Sequence, residues 1–365
     1  MLDKINLFKL SKDELFAAII SLGEKTFRAR QIWNWLYVRG VKDFDEMSDI
    51  SKKFREVLKS NFILTRPEIS KEIISLDGTR KWLVKFVDGR EVEAVFIPEE
   101  NRGTLCISSQ VGCTLACKFC HTGTQTLVRN LESHEIVAQI LIAKDQLSDW
   151  PNQENRQLTN IVFMGMGEPF FNYENVAASV KILNDCEGLS LSNRRITIST
   201  SGLVPEILRA AKELKTNLAI SLHATNDELR TDIMAINKRY PLAELLTACK
   251  IYNQENPNQK ITFEYVMLEN KNDKEEHALE LVKLIKKFNL NVKMNLIPFN
   301  PWSGCEYGRS RNEQIEKFQR VLKDNKLIAP IRKTRGDDVL AACGQLKSES
   351  ERVGKSTRLN PPTSC

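Results

Sequence analysis

Cys113-Thr-Leu-Ala-Cys117-Lys-Phe-Cys120 sets three thiols within eight residues, with three residues between the first pair and two between the second. Thiolates are soft ligands, and such close spacing suits zinc or iron–sulfur. A structural zinc site takes four ligands. No second Cys-x-x-Cys follows here, and His121 abuts Cys120 too closely to close a tetrahedron easily. Three thiolates on a four-iron cluster instead leave one iron open. An open iron can bind an amine and a carboxylate, such as the methionine end of S-adenosylmethionine. The plainer alternatives are a zinc knuckle or three unrelated buried cysteines, and the surrounding chain decides between them.

From about residue 104 to 333, strand patterns alternate with helix patterns. Strands are expected at 104–108, 160–164, 195–199, 217–221, 260–267, 291–297 and 328–332. Helices are expected at 133–144, 173–186, 204–214, 242–252, 274–288 and 313–323. Such alternation gives a parallel sheet with crossover helices. Six or seven units are too few for a closed eight-unit barrel. The expected fold is therefore α/β, a partial (βα)6 barrel open on one side, and an open side also suits a large substrate.

In such folds the site collects at the carboxyl ends of the strands. The three cysteines follow the first strand, and Met164-Gly-Met-Gly167-Glu168-Pro169 follows the second. Its glycines let the backbone approach a ligand, and Glu168 can accept from an ammonium. Ser199 ends the third strand, Ser221-Leu222-His223 the fourth, and Asn300 lies in a strand-end turn before Pro301. Taken singly, Gly-Glu-Pro is an ordinary turn and His223 a buried structural histidine.

Ahead of the barrel, residues 11–60 read as short helices. Ser11-Lys-Asp-Glu14 has capping-box spacing. Phe27, Ile32, Trp35 and Leu36 form a helical stripe, and Ser51 can cap a helix with Phe54, Val57 and Leu58 inside. Trp33, Trp35 and the nearby arginines are either a nucleic-acid face or core and solvated groups. From Glu68 to Pro98 the period becomes two, with hairpin turns at Asp77-Gly78 and Asp88-Gly89. On the last of these strands Val92, Ala94 and Phe96 share one face, which leaves Glu91 and Glu93 on the solvent face. The expected division is 1–62 helical, 63–103 antiparallel, 104–346 barrel core and 347–365 disordered tail.

The formal charge of +6 permits nucleic-acid contact without requiring it. No apolar run is long enough to span a bilayer, and the first residues lack a signal-peptide pattern, so a cytoplasmic protein without membrane contact is expected. Nine cysteines in such a chain are ligands, catalysts or small core residues rather than structural disulfides. Cys186 and Cys249 read as core, Cys305 as exposed, and Cys365 lies in the tail. Cys343 follows Arg332, Lys333 and Arg335, and neighbouring cations favour a thiolate. Residues 149–157 read as an acidic surface loop.

Four stretches in order carry a resemblance: Thr104-Leu-Cys106-Ile-Ser-Ser-Gln-Val-Gly-Cys113, the cysteine motif itself, Gly165-Met-Gly167-Glu168-Pro169, and Arg335-Gly-Asp-Asp-Val-Leu-Ala-Ala-Cys343-Gly-Gln-Leu346. Together they resemble the RlmN family of radical S-adenosylmethionine RNA methyltransferases, over about residues 8–346. The close Cfr relatives, which methylate C8 of adenosine, are the alternative.

The resemblance implies methylation of C2 of adenosine in 23S rRNA at the peptidyl-transferase centre, and in tRNA 3′ of the anticodon. It implies one [4Fe-4S] cluster on Cys113, Cys117 and Cys120. S-adenosylmethionine would be held by Gly167, Glu168, Ser199, Ser221, Leu222, His223 and Asn300. Two molecules would be used per methylation: one methylates Cys343, and the other supplies the radical that activates that methyl. Glu93 would accept a proton, and Cys106 would resolve the adduct through a transient disulfide with Cys343. The N-terminal helices would help to hold RNA, with Arg129, Arg194, Arg195, Lys238, Arg239, Arg309 and Arg311 as candidate phosphate contacts. A monomer served by an electron donor such as flavodoxin or ferredoxin completes the expectation.

Overall fold

Ser11 opens the first helix as its sequence demands: its hydroxyl accepts from Glu14 N–H, and the Glu14 carboxylate accepts from Ser11 N–H at 2.8 Å. This computed structural model describes residues 4–151 and 156–348. Helices α1 (Lys12–Ser21), α2 (Thr26–Tyr37) and α3 (Lys52–Asn61) pack together at the N-terminus. Ser51 caps α3, with Phe54 and Leu58 buried. The expected stripe is corrected at Phe27, which is 64% exposed. Trp33 and Trp35 are core: burial of their rings is compatible with their N–H groups because each finds a carboxylate, on Asp185 and Asp49 respectively. Lys12 also reaches Asp185, so this small unit is fastened to the barrel.

Nine strands form one sheet: β1 (Glu68–Ile74), β2 (Arg80–Lys85), β3 (Glu91–Glu99), β4 (Arg102–Cys106), β5 (Asn160–Phe163), β6 (Ile196–Thr200), β7 (Asn217–Ser221), β8 (Ile261–Met267) and β9 (Val292–Pro298). Their spatial order is the sequence order. The first four pair antiparallel, and β4 to β9 pair parallel. The crossovers carry α4 (Ser133–Gln146), α5 (Tyr173–Asn184), α6 (Val204–Glu213), α7 (Asp227–Ile233), α8 (Leu242–Glu255) and α9 (Glu275–Phe288), and α10 (Asn312–Asp324) follows β9. This is the expected partial barrel, with the antiparallel strands continuing its sheet. Ile161, Ile198, Leu218, Phe263 and Leu296 give the parallel strands their buried faces.

The seventh expected strand, 328–332, is not a regular strand. It runs parallel to β9 through Met294 N–H to Ile328 O, Leu296 N–H to Pro330 O and Arg332 N–H to Leu296 O. Pro330 has no N–H to extend the ladder. The chain then crosses to the antiparallel strands as a segment from Arg332 to Ser348. Lys347 and Ser348 belong to this held segment and not to a tail: Ser348 is buried, and its N–H donates to Gln125. Residues 349–365, with Cys365, lie outside the described residues.

Two further expectations are corrected. Cys186 is exposed just beyond α5, whereas Cys249 is core. Asp149 is buried and paired with Lys144 at 3.1 Å. Helix α7 was not foreseen. No helix among the described residues is long and apolar enough to cross a membrane.

Candidate active site

The loop after β4 turns back on itself. Gly112 has φ 77°, and a Cβ there would sit 2.2 Å from Thr126 O, so only glycine fits. Cys120 N–H donates to Cys117 O, and Gly123 N–H donates to Cys120 O at 3.0 Å. This winding turns Cys113, Cys117 and Cys120 toward one open cavity. Burial pushes all three thiols up, Cys113 to about 12. Thiolates at these positions therefore need a bound cation. Among the described residues no three His, Cys, Asp or Glu side chains gather on one ion position. A four-iron cluster takes its thiolates on separate irons, so the donor set fits a cluster. His121 is not turned to that role: it stacks on Trp302 at 4.7 Å, and its Nδ1 lies 3.2 Å from Gln345 O.

The opposite wall is built from successive strand ends. Gly167, Glu168, Ser199, Ser221, His223 and Asn300 all line the same cavity. Gly167 has φ 95° and packs on Gln110, whose side chain accepts Glu168 N–H at 2.8 Å. The Glu168 carboxylate accepts from Phe170 and Ser201 N–H. Burial pushes its carboxyl up, against those bonds. His223 has φ 58°, and its Nδ1 accepts Val266 N–H at 3.0 Å, which puts the ring proton on Nε2. Burial, with Arg230 nearby, holds it down at about 3, so the ring is neutral. Leu222 differs from the expectation: its side chain is fully buried in the core and is not part of the cavity lining.

Sequence reasoning missed three lining groups and one support. Thr200 and Ser201 also line the cavity, and their hydroxyls lie beside the Glu168 carboxylate. The run Ser199-Thr-Ser201 at a strand end was the available signal. Glu264, midway along β8, reaches the cavity and takes a bond from Asn295 at 2.8 Å. Arg230 on α7 is fully buried and donates to Ser201 O, Ser221 O and Leu222 O, tying β6 to β7 behind the site.

A second, smaller cavity adjoins the first and is lined by Cys106, Met164, Asn300, Arg332 and Cys343. Cys343 lines both. Burial pushes the Cys106 thiol up to about 12, helped by Cys343 and opposed by Arg332. The segment bearing Cys343 is pinned from several sides. Asn300 donates to Cys343 O, His121 N–H to Gly344 O at 2.7 Å, and Thr122 to Leu346 O. From the hairpin, Asp77 accepts Gly336 N–H, and Asp338 accepts from Ser75 and Leu76.

Glu93 is the main correction. It is 6% exposed, not on a solvent face, because the C-terminal segment covers it. Its carboxylate accepts from Lys81 at 3.0 Å and from Lys347 N–H at 2.9 Å. It is not among the lining residues of either cavity. Among the basic candidates, Arg129 is committed to Glu135 and Asp88, and Arg195 donates to Asn160. Arg311 is largely exposed.

Three strand-end thiols facing a polar wall across the mouth of an open (βα)6 sheet define a radical S-adenosylmethionine enzyme. The pattern of the radical SAM superfamily matches residues 107–282, and that of the ribosomal RNA large subunit methyltransferase N-terminal domain matches residues 5–64. The dual-specificity RNA methyltransferase RlmN of Sinorhizobium fredii is 54% identical, over 98% of this chain and 91% of its own. That of Rhizobium meliloti matches equally. The crystal structure of a radical SAM methyltransferase from Sphaerobacter thermophilus superposes with a TM-score of 0.88 at 42% identity, over 94% of this chain and 99% of its own. The chain belongs to the RlmN family of radical SAM RNA methyltransferases, whose cofactors are one [4Fe-4S] cluster and S-adenosylmethionine.

Proposed function

We propose that this chain methylates C2 of adenosine in 23S rRNA, at the peptidyl-transferase centre, and in tRNA, 3′ of the anticodon, with Cys343 as the methyl carrier. The observation that carries this reading is the position of Cys343 on both cavities, beside the cofactor wall on one side and Cys106 on the other. C2 of adenine has no lone pair with which to attack a sulfonium methyl. A [4Fe-4S] cluster held by Cys113, Cys117 and Cys120 would supply, with two molecules of S-adenosylmethionine used in turn, a methyl group and a hydrogen-abstracting radical. The chain's own residues do the rest. Glu168 and Ser201 orient the methionine end, and His223 offers its Nε2–H. The Cys343 sulfur takes the methyl and presents its carbon to the target base, which must leave its stack to arrive. Glu93 accepts the C2 proton. Cys106 then attacks the Cys343 sulfur: an S–S bond forms as the S–C bond to the base breaks, the bonding pair goes to the carbon, which takes a proton to complete the methyl, and the one electron left over from radical addition would pass to the cluster.

The helical unit 1–62 serves as an RNA-holding accessory to the core 104–346, joined through 63–103. An electron donor of the flavodoxin or ferredoxin type reduces the cluster, and the protein acts as a monomer in the cytoplasm, where its RNA substrates are. The test is anaerobic incubation with rRNA fragments and tRNA, then nucleoside mass spectrometry. 2-Methyladenosine is expected with the wild type and not with Cys343→Ala. 8-Methyladenosine in its place, or no methylated adenosine, contradicts the reading.

A further inference from the structure

Lys81 is a buried ammonium at the seam between the antiparallel strands and the Cys343 segment. On β2 it faces the same side as Glu93 on β3, two residues along the strand from Leu83, the register partner of Glu93. Its Nζ lies 3.0 Å from Glu93 Oε1 and donates to Leu340 O at 3.1 Å. Leu340 stands three residues before Cys343. The other Glu93 oxygen accepts Lys347 N–H, four residues after Cys343. One Lys–Glu pair thus holds both flanks of the methyl-carrying cysteine.

We propose that Lys81 is a positioning residue for methyl transfer, its ammonium fixing the Glu93 carboxylate and the Leu340 carbonyl together so that base and carrier meet in register. This rests on the reading of Glu93 as proton acceptor and Cys343 as carrier.

The charge matters as well as the geometry. The groups that face the Glu93 carboxylate are Lys81 from β2, Lys71 from β1 and the backbone N–H of Lys347, with Ser108 and Met166 on its backbone side. Lys71 and Lys347 are exposed, so solvent screens them more than Lys81. Burial pushes the Glu93 carboxyl up, and Lys81 is the foremost group opposing it. A protonated Glu93 accepts nothing. In the step it serves, the C2–H bond breaks, the proton forms an O–H bond on Glu93, and the bonding pair stays with the base adduct. Removing the Lys81 charge leaves a larger share of Glu93 protonated at neutral pH, and raising the pH restores the base.

The experiment uses holoenzyme carrying methylated Cys343 and measures single-turnover methylation of tRNA from pH 6 to 9. Cys343 methylation and S-adenosylmethionine cleavage are followed in parallel by mass spectrometry. Lys81→Met should methylate Cys343 and cleave S-adenosylmethionine as the wild type does. Its RNA methylation should fall at pH 7, by up to the roughly 100-fold that a general base contributes, and by a smaller factor at pH 9. Lys81→Gln, which keeps a donor but not the charge, should show the same displacement of the acid limb, and Lys81→Arg should stay close to wild type. An equal loss at every pH, or no loss, in either neutral variant overturns the role of Lys81. Should Lys81→Met fail to fold, the acid limb of Lys81→Gln decides alone. Glu93→Gln separates the two levels. Full activity in that variant contradicts the proton-acceptor reading itself, whereas its inactivity beside a wild-type profile in Lys81→Gln overturns only the inference on Lys81.

Discussion

The two halves of the nine-stranded sheet build their parts of the site in different ways. In the parallel half, β4 to β7 deliver their residues at their carboxyl ends, with the cysteine loop after β4, Glu168 after β5, Ser199 on β6, and Ser221 and His223 at β7, and only β8 contributes from its middle, through Glu264. Every contribution there is local in sequence. In the antiparallel half, Glu93 and Lys81 sit within strands, and they meet Cys343 only because the chain returns after β9 to cover them. The first half is a cofactor cradle that repetition of one unit provides. The second is a lid of distant segments, held by Asp77, Asp338, Asn300 and Lys81. The difference predicts that damage to the first half stops all chemistry, and that damage to the second spares cofactor chemistry and stops transfer to RNA.

The sharpest break comes from Cys117→Ala, which removes a thiolate from the first half. Iron, sulfide, S-adenosylmethionine cleavage and Cys343 methylation should all be lost, as read by metal analysis and mass spectrometry. A variant retaining a full cluster and cleavage would erase the distinction. Asp77→Ala strikes only the second half. Against the cost of burial, bonds from Thr79, Gly336 and Ser75 hold the Asp77 carboxyl down at about 2, so it is an anion throughout the working range. Its loss frees Gly336 and Arg335, and RNA methylation should fall several-fold while cleavage of S-adenosylmethionine holds. Equal loss in both assays would show that the two halves are not separable.

The smallest expected effect is on stability. His223 in the first half is held down at about 3 by burial, from an ordinary 6.5. A depressed histidine lends stability above its unfolded value, and that stability drains away as pH falls from about 6.5 toward 3. Between pH 7 and 5 the holoenzyme should lose about 2 kcal/mol through this one group. His223→Gln should lose that much less over the same interval in denaturant titrations. An identical pH slope in both proteins would mean that His223 is not buried neutral.

The same contrast explains what could be read from the residues alone. Periodicity and the strand-end rule located the parallel strands to within a residue or two, and they drew the three cysteines, Glu168, Ser199, Ser221, His223 and Asn300 to one pocket. Each of those inferences needed only nearby sequence. Glu93 read as a solvent residue because alternation reports which face of a strand a side chain takes, not what later covers that face. The cover is some 250 residues away in sequence, at Lys347. Lys81 and Arg230 were illegible for the same reason: nothing local marks a buried cation whose acceptors lie on other segments. Segment 328–332 looked like a strand and runs like one, yet Pro330 keeps it from a full ladder. Phe27 matched a helical stripe, but the small N-terminal unit has no layer on that side to bury it.

The central claim is that one sulfur, Cys343, serves both cavities, and that Cys106 is needed only to release what that sulfur holds. Cys106→Ala incubated anaerobically with S-adenosylmethionine and tRNA tests it most directly. The variant should methylate Cys343 and cleave S-adenosylmethionine, then stall with RNA joined to protein through Cys343, seen as a slow band on a denaturing gel that collapses on ribonuclease treatment. Turnover at the wild-type rate with no linked species would contradict the account and return Cys106 to the core as an ordinary buried thiol.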